Sequence, residues 1–348
     1  MTRQALFLIA SAVFAGTSLA QQPGPASAPR PSPIAQPELL RRLQKSVDSL
    51  ADRGEFSGVV VLAKDGVPVY QSAHGYADRE RKIANNVETA FNIGSINKVF
   101  TQIAILQLVA AGKIALDSTL ATYWPEYPNQ EVARKITIRQ LMRHTSGIGG
   151  DIFDPPAGGK RNDIRRLQDY LPLFVNEPLK FEPGSKNQYS NAGYLVLGLL
   201  VERLSGQDYY SYVREHVFEP AGMSRTGSFA VDSLPSNTAI GYTRGREDAP
   251  VSAPTHSNAE ELPGRGSSAG GGYSTAADLL KFLKALREHR IANAMPAGLG
   301  IAGGAGGLNA VLEGMLPGDY DLVVLANLDP PAAQRVARLT REWLGAAD

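Results

Sequence analysis

The first clear period in the chain is helical. In PELLRRLQKSVDSLAD, residues 37–52, Leu39, Leu40, Leu43, Val47 and Leu50 fall on one face, with Pro in the first turn and Gly54 just past the end. The period then changes to that of strands. GVVVLAKDGVPVYQSAHG, residues 58–75, is two β-rich runs meeting at Asp65-Gly66, a pair that suits a tight hairpin turn because both positions tolerate positive φ. The far end mirrors this. GLNAVLEGML and DLVVLANLD are strand-like and meet through Pro317-Gly318-Asp319, and PAAQRVARLTREWLG follows with Val336, Leu339 and Trp343 on one side of a helix. Between the two ends the helical period returns at least four times. One helix is expected from Ser95 to Gly112, with Val99, Ile103, Leu106 and Ala110 on one face. ITIRQLMRH runs to Gly147, NAGYLVLGLLVERLSG to Gly206, and YSTAADLLKFLKALREH is the fourth. Residues 224–272 have little period and many Gly, Pro and Ser, which predicts a long loop with a functional or mobile role. Strands near both termini with helices between them predict a mixed α/β (α+β) fold. One antiparallel sheet collects both chain ends, terminal helices flank it, and a mostly helical region over about residues 95–290 is inserted.

Composition narrows the function classes. Hydrophobic residues make up 43% and charged residues 20% of the 348, the balance of a soluble globular protein with a sizeable core. Formal net charge is +1, from 35 Lys plus Arg against 34 Asp plus Glu, so no basic field is available for nucleic acid or an anionic membrane. Residues 1–20 read as a signal peptide: MTRQ is a positive start, ALFLIASAVFAGTS an apolar stretch, and SLA before QQ a small-residue cleavage site. Export to the periplasm or beyond, with cleavage after Ala20 and no membrane span afterwards, is the expectation. Residues 21–36 are Pro-, Ala- and Ser-rich and read as a disordered leader, with one domain over 37–348. The chain has no cysteine, which excludes disulfides, a Cys nucleophile, thiolate metal sites and a lipid-modified Cys. His74, His144, His216, His256 and His289 have no metal spacing, so neither a metal nor an organic cofactor is expected. The sequence is silent on oligomeric state.

Candidate chemistry begins at FNIGSINKVF, residues 91–100. In a helix Ser95 and Lys98 share a face, so the amine can sit over the hydroxyl. The positive end of the helix dipole disfavours an ammonium there and favours the free amine, which can act as a base, and the first-turn N–H groups can receive an oxyanion. A Ser followed by Lys three residues on arises about once by chance in a chain of this length, so the pair alone also fits a plain helix start. NQYSNAGY, residues 187–194, adds Tyr189 and Asn191. Two apart in an extended segment, they point the same way. Tyr can shuttle a proton and Asn can hold an amine or a substrate amide, while Ser190 or Asn191 can equally cap the following helix. GSSAG at 266–270 has the form of a nucleophile elbow around Ser268, but no strand precedes it, and flexibility is the better reading. His144, in HTSGIG, and Asp151 and Asp154, in DIFDPP, read as turn formers.

FNIGSINKVF together with NQYSNAGY resembles the superfamily of serine β-lactamases, penicillin-binding proteins and related esterases. The likeness is closest to the branch with class C β-lactamases, D-aminopeptidases and carboxylesterases. FSGVVVLAKDG, AAGKIALDSTLATYWPEYP, LMRHTSGI, SSAGGGYSTAADLLKFL and DLVVLANLD carry it from about residue 37 to the end. The resemblance implies a β-lactamase/transpeptidase-like fold and acyl transfer through a covalent ester. Ser95 would be the nucleophile, Lys98 and Tyr189 the proton-transfer groups with the base unassigned between them, and Asn191 the substrate-orienting amide.

One motif departs. Where similar chains place Lys or His, a small residue and Gly on the wall strand, GLGIAGGAGGLNAVLEG has Ile301, Ala302 and Gly303. The glycines still allow close approach, and the N–H of Gly304 would complete the oxyanion hole. Loss of the cation removes a charge-assisted hydrogen bond to a substrate carboxylate. The segment between Leu286 and Gly300 is also shorter than in many similar chains, which trims one wall of the cleft. These departures point to neutral esters, amides or peptide-like small molecules rather than efficient β-lactam hydrolysis. A β-lactamase or D,D-peptidase-type enzyme, or a non-catalytic binding member, is the alternative.

Overall fold

A strand buried on both faces needs apolar residues at every position, and GVVVLA meets that requirement. The computed structural model describes residues 33–150, 152, 159–246, 249–294 and 299–346. Five strands form its main sheet: β1 (Gly58–Lys64), β2 (Val67–His74), β3 (Gly300–Ala305), β4 (Leu308–Leu316) and β5 (Tyr320–Ala326), in the antiparallel order β2-β1-β5-β4-β3. Val60 lies opposite Val324, which in turn lies opposite Val311. Both chain ends therefore enter one sheet, as the terminal strand patterns predict.

The two faces are covered differently. Val60, Leu62, Leu322 and Val324 pack against α1 (Gln36–Asp52), through Leu39, Leu43 and Val47, and against a last helix, Ala332–Leu344, through Val336 and Leu344. Val59, Val61, Val323 and Leu325 face the helical region. That region is built on α2 (Asn97–Ala110), α3 (Asn191–Ser205) and α4 (Ala276–Arg287), and the last helix is accordingly α5. Asn309 ties α5 to the sheet: its Oδ1 accepts from the Ala333 N–H (2.7 Å), and its Nδ2 donates to the Gly303 carbonyl (3.0 Å) on the edge strand β3.

Several elements differ from the sequence expectation. The leader assigned to residues 21–36 ends early, because the Ile34 N–H bonds to the Trp343 carbonyl (3.1 Å) and Gln36 already belongs to α1. Residues 1–20, expected as a signal peptide, and residues 21–32 of the expected leader lie outside the described residues, as do Asp151 and Asp154. Ser95 does not open an α-helix. It sits in a 3₁₀ turn, Gly94–Ile96, and α2 follows from Asn97. Nor is α2 buried along one stripe: Ile105 and Leu108 are as buried as Val99 and Ile103, while Ala110 is exposed, because helices and sheet enclose α2 on most sides. The helix expected over ITIRQLMRH shrinks to Ile138–Met142, opened by a capping box between Thr137 and Gln140 and closed before His144, whose φ is +57°. Short helices at Gln130–Lys135 and Tyr209–Val213 carry too few turns to show a period. Residues 224–272 are mostly irregular, as expected, although Ser267, Ser268 and Ala269 within them are buried. Among the described residues, no helix is long and apolar enough to cross a membrane.

Candidate active site

The turn that presents Ser95 depends on Gly94. Its φ is +49°, and a side chain there would meet Leu308 Cδ1 at 2.9 Å and the Gly304 nitrogen at 3.1 Å. The Gly94 N–H bonds to Asn92 Oδ1 (3.0 Å) and the Ile93 N–H to the Gly272 carbonyl (2.8 Å), so the approach to Ser95 is fixed on both sides. The edge strand β3 runs alongside. A Cβ added at Gly303 would lie 2.2 Å from the Ile93 carbonyl oxygen and 2.8 Å from the Ser95 nitrogen. Gly303 is thus in backbone contact with the Ser95 turn, an approach that only a residue without a side chain permits, and the Gly304 nitrogen lies beside Gly94.

Lys98 lies one turn on, 3% exposed. Its Nζ is 3.3 Å from Ser95 Oγ, donates to Asn191 Oδ1 (2.8 Å) and to the Ala269 carbonyl, and stands 4.7 Å from the Tyr189 ring centroid. These partners are a hydroxyl, an amide oxygen and a backbone carbonyl, none of them charged. Burial accordingly holds the amine well below the ordinary lysine range, since an enclosed ammonium without a counter-ion is costly. Tyr189 approaches from the other side, its hydroxyl 2.5 Å from Ser95 Oγ. Burial raises the phenol to about 12, partly opposed by the Ser95 hydrogen bond, so it stays protonated at neutral pH. Asn191 is the first residue of α3, and the capping role falls to Ser190, whose Oγ accepts from the Gly193 N–H (3.1 Å). An extended Ser190 between them lets Tyr189 reach Ser95 while Asn191 reaches Lys98.

Ser95, Lys98, Tyr189 and Asn191 therefore share one site, with Gly303 and Gly304 along its edge. Ser268 is elsewhere. It is fully buried, its Oγ without a hydrogen-bond partner among the described residues and pressed against α3 near Gly198, which excludes it as an accessible nucleophile. The segment around it has another role that the sequence does not reveal. Three consecutive carbonyls accept from α2: Ser267 from Asn97 Nδ2 (3.0 Å), Ser268 from Thr101 Oγ1 (2.7 Å) and Ala269 from Lys98. The phrase SSAGGGY marks the place, but a carbonyl acceptor has no side-chain signature. Ile301 stands opposite Leu312 in the β3–β4 pair, half-buried at the sheet edge.

Residues 43–346 match the Beta-lactamase family. The chain belongs to that family. Esterase EstB of Burkholderia gladioli is 33% identical over 280 residues, covering 72% of this chain and 71% of that one. PbpX of Bacillus subtilis, a candidate penicillin-binding protein, is 32% identical over 256 residues, which are 74% of this chain and 61% of PbpX. Two further curated relatives are matched over 41% of their own length. Among solved structures, a penicillin-binding protein from Bacillus halodurans superposes with a TM-score of 0.72 at 32% identity, over 84% of this chain and 98% of that one. A D-amino acid amidase from Ochrobactrum anthropi, at 22% identity and a TM-score of 0.73 over 88% and 98%, shares the fold. This beta-lactamase-family chain thus has relatives on the esterase and the penicillin-binding sides.

Proposed function

We propose that the chain is a serine hydrolase acting by acyl transfer through Ser95 on neutral esters or amides. The observation that carries this reading is the Ser95 hydroxyl set between the Tyr189 phenol at 2.5 Å and the Lys98 amine at 3.3 Å, with that amine buried among uncharged partners. Lys98, as the free amine, takes the proton as Ser95 Oγ bonds to the acyl carbon. The backbone N–H groups of Ser95 and Gly304 receive the oxyanion, and Asn191 orients the acyl group. As the bond to the leaving oxygen or nitrogen breaks, the proton returns to it through Tyr189. Water then attacks the ester, gives up its proton to the same groups and frees Ser95. Ile301 supports a preference for substrates without a carboxylate, as does the esterase relative. Export is part of the proposal and rests on residues 1–20 alone.

The test is intact mass after exposure to a p-nitrophenyl ester, penicillin or a fluorophosphonate. We expect a stable fluorophosphonate adduct on Ser95, rapid ester turnover and little penicillin turnover. A folded protein that takes none of the three labels would replace this reading with that of a binding member of the family, with which Ile301 is also compatible. Gly303→Ala offers a second check. The added methyl forces β3 away from Ile93 and Ser95, which displaces the Gly304 donor, so ester kcat should fall about 10²-fold, the scale of one lost oxyanion donor. Unchanged kcat in burst kinetics would remove Gly304 from the mechanism.

A further inference from the structure

Position 144 has a backbone that glycine or asparagine would adopt at least cost, yet it carries a histidine. Its φ of +57° is left-handed, so a residue serving the turn alone needs no ring. The ring has definite neighbours. It stacks on Tyr189 with centroids 4.6 Å apart and an interplanar angle of 29°, and it also lies against Tyr194, at 5.0 Å with a tilt of 31°. Tyr194 is itself fixed, its hydroxyl donating to the Met142 carbonyl (3.0 Å). The backbone flanking Tyr189 is held by the same residue: the Gln188 N–H donates to the His144 carbonyl (2.8 Å), and the Ser190 N–H donates to His144 Nδ1 (3.2 Å).

From this geometry, and resting on the hydrolase reading above, we propose that His144 is a positioning residue for the acyl-transfer step. It holds residues 188–190 through two hydrogen bonds and packs its ring against Tyr189, which fixes the phenol on Ser95. The Nδ1 contact also sets the tautomer, since an acceptor at Nδ1 places the proton on Nε2. Burial pushes the imidazole down to about 4, so the acceptor persists across neutral pH. Phenylalanine would supply the stack without the acceptor. Asparagine would supply the turn and a shorter acceptor without the stack.

The experiment compares the wild type with His144→Asn, His144→Phe, Tyr189→Phe and the double variant His144→Asn/Tyr189→Phe. The rate of fluorophosphonate labelling of Ser95, ester kcat and KM, and thermal midpoint are read for each. In His144→Asn, labelling rate and kcat should fall about 10- to 100-fold with KM and midpoint held, the scale of a mispositioned catalytic group. Because His144 acts through Tyr189, adding His144→Asn to Tyr189→Phe should cost little more. If the two losses multiply, or His144→Asn labels within about two-fold of the wild type, the proposal is overturned while the hydrolase reading stands. If the wild type takes no label, the hydrolase reading fails and this inference with it. Should His144→Asn not fold, His144→Phe retains the ring volume and must still slow labelling.

Discussion

Ser95→Ala is expected to abolish the covalent adduct with all three probes and to lower ester kcat on the order of 10⁶-fold, the scale of losing a serine nucleophile. The Ser95 side chain bonds to Tyr189 and lies near Lys98, and the turn that presents it is fixed by backbone bonds of Ile93, Gly94 and Ile96. Removing one hydroxyl should therefore leave the fold in place, with stability changed by no more than about 1 kcal/mol. A thermal melt beside the mass measurement separates loss of chemistry from loss of structure. The loss should be nearly complete because methyl cannot form the ester, so Lys98 and Tyr189 then have no oxygen to activate. Retained turnover in a well-folded Ser95→Ala protein would place the chemistry on another group, and with it discard the assignment of Lys98 and Tyr189. The size of the effect also tells a nucleophile from a binding residue, whose loss would raise KM and spare kcat.

The parts of the molecule that were legible in the sequence are those whose causes are local. The hairpin at Asp65-Gly66 needs positive φ at both positions, and both have it, +53° and +75°. The end of α3 follows from Gly206, whose φ of +79° closes the helix. Ser95 and Lys98 meet because they are three apart on a tight turn. Tyr189 is 94 residues from Ser95, and only the resemblance suggested that the fold would close that gap. What the sequence could not show has non-local causes. The burial of α2 on most sides depends on α3, α4 and the sheet packing around it, so the stripe read from Val99, Ile103, Leu106 and Ala110 described only part of its surface. Gly94, with its close neighbours on β3, turns the helix start at Ser95 into a 3₁₀ turn. The Ala269 carbonyl is a group that every residue carries, so no composition signal distinguishes it. His144 gave a turn signal, while its stacking partners come from a segment more than forty positions on.

Lys98→Met should lower ester kcat by about 10²–10⁴-fold, the usual worth of a general base, while Ser95 remains open to slow fluorophosphonate labelling. Methionine is chosen because it fills the volume of the lysine stem in a buried site, although Asn191 and the Ala269 carbonyl lose a donor. The pH dependence gives the sharper test. Burial lowers the Lys98 amine, so the wild-type kcat/KM should fall as pH drops through that lowered value, where the amine takes a proton and can no longer accept one from Ser95. Tyr189, raised to about 12, should not titrate below the alkaline extreme. Stability carries the opposite side of the same shift. Between the lowered folded value and the unfolded one near 10.4, the unfolded chain binds the proton that the folded chain does not, so the Lys98 contribution to stability rises with pH across that window. In Lys98→Met both dependences should vanish: the acid limb of the residual rate flattens, and urea unfolding at neutral and alkaline pH loses the part of its difference that came from this amine. A Lys98→Met protein that kept the wild-type acid limb would assign that limb to another group and remove Lys98 as the base, leaving Tyr189 as the group in contact with Ser95 to be tested in its place.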